Sequence, residues 1–423
     1  MNRRQVLATL GSACLAGCAS SLPSLRPSKT DSSPTEPLSG EDAEAWAQFG
    51  RTAAHTGRNA GVSIDAPQVR WQATLPAGVT APAVVGETVF VGGGIFDEHN
   101  EEYAAGGVYA FDRQTGDRRW KTRLPALGGG FAGCPPTVHR GSIYVGDAGR
   151  HHFHALDART GEKRWHLDLD GSVNEAVAAA GDRVCFVQQE AVVAADLRGE
   201  ERWRYSKDGH VFLAEPAVAD GTAYVGSVYD EGDRPESEDD ASSLLAAIDV
   251  GTGDELWADR QGENFHSLAV DGDTLFACDT RAVYAVEAAT GTQQWRHAME
   301  DFGLGELAVS DETVFVADGR KLRALSWADG SERWQFEIED GYLRTTPVVV
   351  DGAVVVTTEH PQRPSTDATT YALDSATGDP RWTHRLPGNV GLPAAAVGDA
   401  LYLPVYGSSG ETGATLTVLE SSE

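Results

Sequence analysis

The sequence predicts an all-β chain folded as an eight-bladed β-propeller of four-stranded antiparallel blades, closed by an N-terminal outer strand that completes the last blade. Three observations predict it. A short phrase that ends in a tryptophan four residues after a glycine recurs seven times: Gly116 and Trp120, Gly161 and Trp165, Gly199 and Trp203, Gly253 and Trp257, Gly291 and Trp295, Gly330 and Trp334, Gly378 and Trp382. Successive tryptophans are spaced by the roughly 40–50 residues of a four-stranded blade. Finally, the two chain ends are complementary. "VRWQATLP" around Trp71 reads as a last strand with no turn before it, and the chain beyond Trp382 supplies three strands (LPAAAV, ALYLPV, ATLTVLE) and stops.

Within one interval every segment reads as a strand. From Trp120 to Trp165 the chain runs through a short strand near Pro136–Val138, then SIYVG, FHALD, a Thr-Gly turn and KRWHL. The alternation, the β-branched and aromatic content and the tight turns argue four antiparallel strands. Glycine in the Thr-Gly turn supplies the positive φ that other residues resist. The acid or hydroxyl four residues earlier (Asp112, Asp157, Asp249, Glu287, Ser326, Asp374) is expected to accept hydrogen bonds from the turn amides. In the third blade one residue is deleted, so Asp196 stands three before Gly199. The tryptophans Trp71, Trp120, Trp165, Trp203, Trp257, Trp295, Trp334 and Trp382 are expected to dock each blade on the next. Each can bury about 150–250 Å². So regular a phrase reads as scaffold and not as eight ligand sites.

Composition bounds the function. The chain carries 34 Lys+Arg against 63 Asp+Glu, a net charge of −29, which excludes nucleic acid or an anionic membrane surface as an electrostatic partner. Only five of the basic residues are lysine (Lys29, Lys121, Lys163, Lys207, Lys321). An acid-rich, lysine-poor chain of this kind resembles the proteins of extreme halophiles.

The N-terminal segment reads as processing signal. Residues 1–17 contain Arg3 and Arg4 before an apolar run from Val6 to Ala16 that is too short to span a bilayer. Leu15-Ala16-Gly17-Cys18 resembles a lipobox, which makes Cys18 the lipidated residue, and the paired arginines resemble a twin-arginine export signal. Residues 18–45 are rich in Ser, Pro and acids, the composition of a flexible tether, and residues 46–423 form the propeller. The chain is therefore expected at the cell surface, anchored to the outer leaflet of the cytoplasmic membrane by its lipid alone, and monomeric. Cys134, Cys185 and Cys278 form no adjacent or CxxC pair, so no disulfide framework or cysteine zinc site is expected; Cys185 and Cys278 lie in strand-like runs where buried structural thiols are the default.

The phrases AFDRQTGDRRW, ALDARTGEKRW and ALDSATGDPRW resemble the repeat of pyrroloquinoline-quinone (PQQ)-like β-propellers, and WAQFGRTAAHTGRN at 46–59 resembles the N-terminal signature of that family's exported members. The resemblance covers residues 46–423, points to an exported lipoprotein, here of halophile-like composition and archaeal type, and implies two functional branches. One holds PQQ over the central channel with calcium, as quinoprotein dehydrogenases do. Its alcohol-oxidising members carry a disulfide between adjacent cysteines, a pair this chain lacks, and no catalytic residue carries over by motif. The other is a cofactor-free, tethered scaffold like the lipoprotein of β-barrel assembly at Gram-negative outer membranes. The expected function is a non-catalytic scaffold with a protein or surface-polymer partner and no cofactor or metal, with a PQQ and calcium oxidoreductase as the alternative.

Two kinds of place break the repeat. Long insertions between second and third strands, at Phe96–Gly106, Tyr229–Ser242 and Glu359–Thr369, are expected to crowd one face, and the first two are strongly acidic without the ligand spacing of a calcium loop. Blade-entry segments align Glu215, His266, Glu306 and Arg344 near the inner strands, with Glu175 nearby. Carboxylates, an imidazole and a guanidinium in a funnel can bind a polar ligand or exchange protons. "HHFH" at 151–154 sets His152 and His154 on one strand face, short of a metal set without a third ligand. No nucleophile elbow, phosphate loop or HExxH helix is present.

Overall fold

The computed structural model describes residues 45–422, apart from positions 77, 98–101, 126–133, 147–150, 172, 174–175, 189, 213, 230–242, 261, 300–304, 344, 361–365 and 407–412. It is all-β, with eight antiparallel sheets in sequence order around a ring. The innermost strands are Ala83–Val85, Thr137–His139, Ala178–Ala180, Ala217–Ala219, Ser267–Asp271, Glu306–Val309, Val348–Val350 and Ala395–Val397, and each touches the next around the full circle. Blades are numbered here from 1 (Ala83–Pro125) to 8. Blade 8 is made of the three last strands plus Pro67–Leu75, which pairs antiparallel with Ala414–Ser421 from Leu75 opposite Ala414 to Pro67 opposite Ser421. The ring therefore closes by the clasp that the two chain ends predict, and closure leaves no open sheet at either end.

Two details differ from the sequence-based expectation. In blade 4 an added strand, His210–Phe212, pairs with the extended end of Thr222–Tyr229, so that sheet has five strands. In blade 1 the segment read as an insertion at Phe96–Gly106 is largely ladder. Thr88–Asp97 and Glu102–Asp112 stay paired to Asp97 opposite Glu102, so the hairpin simply lengthens. The tips at 98–101, 230–242 and 361–365 lie outside the described residues.

The recurring phrase is explained by one local device. In every blade the residue before the docking tryptophan is an extra, unpaired residue: Trp120 faces Ala110 while Arg118 already faces Phe111, so Arg119 bulges out. The same shift isolates Arg164, Arg202, Leu256, Gln294, Arg333 and Arg381, and in the clasp Arg70. A β-bulge re-aims its side chain. Here it turns the guanidinium onto the acid that opens the turn: Arg119 to Asp112 at 2.7 Å, Arg164 to Asp157 at 2.6 Å, Arg202 to Asp196 at 2.5 Å and Arg381 to Asp374 at 2.8 Å. The other oxygen of each acid takes two turn amides, such as Gln114 and Thr115 N–H on Asp112. The Arg119 bond, with those amides, holds the Asp112 carboxyl down at about 2. Glu287 instead takes the Thr290 hydroxyl, and in blade 6 Asp329 rather than Ser326 caps the Ser331 amide.

Across from each tryptophan of blades 1 to 7 stands an alanine (Ala110, Ala155, Ala194, Ala247, Ala285, Ala324, Ala372), leaving room for the indole. The indole then lies over the turn glycine of the following blade. A Cβ on Gly116 would sit 2.7 Å from the Trp71 ring, on Gly161 2.5 Å from Trp120, and on Gly253 2.5 Å from Trp203. Indole N–H groups donate to the carbonyl just after the next blade's acid position: Trp71 to Arg113 at 2.9 Å, Trp165 to Leu197 at 3.0 Å, Trp203 to Val250 at 2.8 Å, Trp295 to Trp327 at 2.7 Å. Blade 8 has no Thr-Gly turn, and Trp382 docks on the N-terminal segment through Ile64 O at 2.7 Å.

Candidate functional site

The central channel has two mouths of different character. In each blade the innermost strand runs from the face that carries the blade-entry and strand 2–3 loops, called the top, towards the face of the Thr-Gly turns, the bottom. Inner strands leave one row of amide and carbonyl groups without a sheet partner, and a buried unpaired backbone group is costly.

That row is answered by the segment 46–62. Trp46 exchanges both backbone bonds with Val84 (2.8 and 2.7 Å), and Ala47 O accepts from Val138 N. Gln48 pairs with Ala179 through its side-chain amide. Ala53, Ala54, Thr56 and Gly57 carbonyls accept from Val218, Val270, Val309 and Val349 in turn, and Asn59 Nδ2 reaches Ala396 O at 2.8 Å. All eight blades are thus bound by one arm that circles the bottom half of the channel. Its tight path uses Gly50 and Gly57 at φ 59 and 65, with Arg51 and His55 also left-handed. Arg58 pairs with Asp311 on the bottom hairpin of blade 6. His55 is buried edge-on against Phe49, and burial lowers its imidazole to about 4. The WAQFGRTAAHTGRN stretch is therefore the cord that closes the channel's lower mouth, a role its sequence did not disclose.

The top mouth receives the residues singled out from the sequence. Glu215 stands two residues before the inner strand of blade 4, His266 directly before that of blade 5, and Glu306 opens that of blade 6. Adjacent inner strands bring these three entries side by side around the axis. Thr346 Oγ1, from the entry of blade 7, donates to Glu306 Oε2 at 3.1 Å. His266 Nδ1 lies 3.0 Å from Asn264 O, and burial lowers its affinity for a proton. The described part of this mouth thus carries two carboxylates, Glu215 and Glu306, beside an imidazole whose hold on a proton burial weakens. Glu175 and Arg344 lie outside the described residues, as does Cys18.

Elsewhere polar groups serve the frame. Asp279, 1% exposed, takes the Glu263, Arg281 and Ala282 amides and the Tyr284 hydroxyl at 2.6–2.8 Å. Cys134, Cys185 and Cys278 are buried free thiols, and burial pushes Cys185 up to about 12, a poor nucleophile. The register adds what the sequence could not: His152 faces Asp168 and His154 faces His166 across the outer hairpin of blade 2.

A family model described as outer membrane protein assembly factor BamB matches residues 104–278 and 279–416. No curated protein matches the chain. Among solved structures the fold is similar to quinohemoprotein alcohol dehydrogenase from Comamonas testosteroni (TM-score 0.70, 14% identity, 90% of this chain and 81% of that one). It is also similar to BamB from Moraxella catarrhalis (TM-score 0.61, 17% identity, 84% and 97%) and to a europium-containing methanol dehydrogenase (TM-score 0.69, 13% identity, 90% and 99%). At these identities the likeness is one of fold. A planar, anionic quinone needs a stacking plane and cationic partners. Of the ten tryptophans eight are docking residues, Trp46 is buried beside Val84 and Trp327 packs edge-on to Phe276, so the described channel offers no free indole plane.

Proposed function

Because the chain belongs to the family described as outer membrane protein assembly factor BamB, we propose that it is an exported, membrane-anchored, non-catalytic scaffold that binds a protein or surface-polymer partner on its top face. The observation that carries this reading is the arm. Residues 46–62 occupy the lower channel, and the stretch expected to be the tether, 18–45, directly precedes them in the sequence; on this reading the anchor lies on the bottom side and the strand 2–3 loops face away from it. A partner then meets the carboxylate-bearing top mouth and the rim around it, the face on which the strand 2–3 connections lie. An assembly factor acts on protein partners, and a cation-bearing protein surface suits the charge of −29. The lysine-poor composition favours a high-salt setting in which short contacts rather than long-range steering decide affinity.

Photocrosslinkers placed singly in intact cells test this. Crosslinks to one partner from top positions such as Glu215 and Tyr406, with none from bottom positions such as Thr115 and Arg159, are the expected result; crosslinks confined to the bottom rim overturn it. The alternative, a PQQ and calcium oxidoreductase, is favoured only by the fold likeness. Incubation of the purified chain with PQQ and calcium, followed by dye reduction with sugars or alcohols, separates the two.

A further inference from the structure

We propose that the outer hairpin of blade 2 is a binding site for a divalent transition-metal ion, with His152, His154, His166 and Asp168 as its ligands. Alternate residues of a strand share a face, and the pairing of His152 with Asp168 and His154 with His166 sets all four on one face in a two-by-two square. The three imidazole rings stand 5.6, 5.7 and 6.0 Å apart. Asp168 Oδ1 lies 3.2 Å from His152 Nε2 and 3.7 Å from His166 Nε2. Two ligand atoms on one tetrahedral zinc, each bonded at about 2.0–2.1 Å, are roughly 3.4 Å apart, so the carboxylate oxygen already stands at ligand spacing from two nitrogens.

Among the described residues no three such side chains already surround one point. Gathering these four requires only side-chain rotation, since the hairpin backbone is held by its ladder. The outer members are reached by solvent: His152, His166 and Asp168 side chains are 23%, 37% and 65% exposed, while His154 is buried. The site opens to solvent at the top rim. Three imidazoles and one carboxylate select zinc, copper or nickel over magnesium and calcium, which the acidic surface attracts without selectivity. The inference stands independently of the scaffold reading.

The test uses the purified chain, stripped with chelator and titrated with Zn²⁺ in excess Mg²⁺, which occupies the surface carboxylates. One equivalent bound, a copper form with nitrogen hyperfine structure in its electron paramagnetic resonance spectrum, and a loss of at least about tenfold in affinity in His166→Ala and in Asp168→Asn are expected, with His384→Ala unchanged. Asp168→Asn alters an exposed carboxylate, so it keeps the test decisive should a histidine variant fold poorly. Equal stoichiometry and affinity in His152→Ala/His166→Ala, or displacement of zinc by Mg²⁺ in the unaltered chain, overturns the proposal.

Discussion

Gln48 and Ala179 form a two-bond pair in which a side-chain amide takes the place of a strand. Gln48 Nε2 donates to Ala179 O at 2.9 Å and Gln48 Oε1 accepts from Ala179 N at 2.8 Å. Gln48→Ala leaves both inner-edge groups of blade 3 buried and unpaired, at about 1–3 kcal/mol each, and a clear drop in the denaturation midpoint is expected. Gln48→Glu keeps the acceptor but sets a buried carboxylate oxygen against Ala179 O, so at neutral pH it is expected to be at least as destabilising as Gln48→Ala.

Two glycines with similar backbone separate docking from conformation. Gly161 (φ 73) lies under Trp120, whereas Gly221 (φ 78) has nothing within 4 Å of a Cβ. Gly221→Ala is expected to lose only the left-handed preference, about 1 kcal/mol. Gly161→Ala also displaces the indole and is expected to lose a further 2 kcal/mol or so. Equal losses in urea titrations would sink the docking account of the phrase.

His55 makes the arm acid-sensitive. Its pKa falls from about 6.5 when unfolded to about 4 when folded, so the unfolded chain binds the extra proton between those values and stability drops as pH falls through that window. The contribution is fully present above pH 6.5 and up to about 3 kcal/mol is lost by pH 4. His55→Phe should flatten that part of the stability profile, read from melting midpoints at pH 4 to 7.

The arm and the clasp tie all blades into one unit. Removing residues 45–62 strips a hydrogen-bond partner from the inner strand of every blade. A lower and broader unfolding transition is expected, with loss of the single cooperative step. An unchanged midpoint would show that the arm is incidental to ring closure.

Leu256 occupies the bulge where four other blades place an arginine bonded to the turn acid, and it is 54% exposed. Leu256→Arg restores the partner of Asp249 and removes an exposed apolar side chain. A small rise in midpoint that fades in molar salt is expected. A clear fall would mean that the bulge in blade 4 is not aimed as in its neighbours.

Blade number, clasp and docking tryptophans were legible because they rest on local chemistry repeated many times: a glycine that must be left-handed, a turn acid, an aromatic outer strand. The role of the arginine before six of the eight docking tryptophans was not legible, since a bulge is visible only once the register of Ala110 against Trp120 is known. Glu215, His266 and Glu306 stand at the entries of three successive blades, because entry loops are tied to inner strands by the repeat itself.

Sequence alone determined the eight-bladed ring, for periodic patterning and turn residues act over a few neighbours and add up over seven copies. Only the tertiary structure decided how the channel is closed and which histidines meet. Gln48 finds Ala179, and Asn59 finds Ala396, only after the ring has formed its inner edge. His166 and Asp168 join His152 and His154 only through cross-strand register, which a one-residue bulge resets.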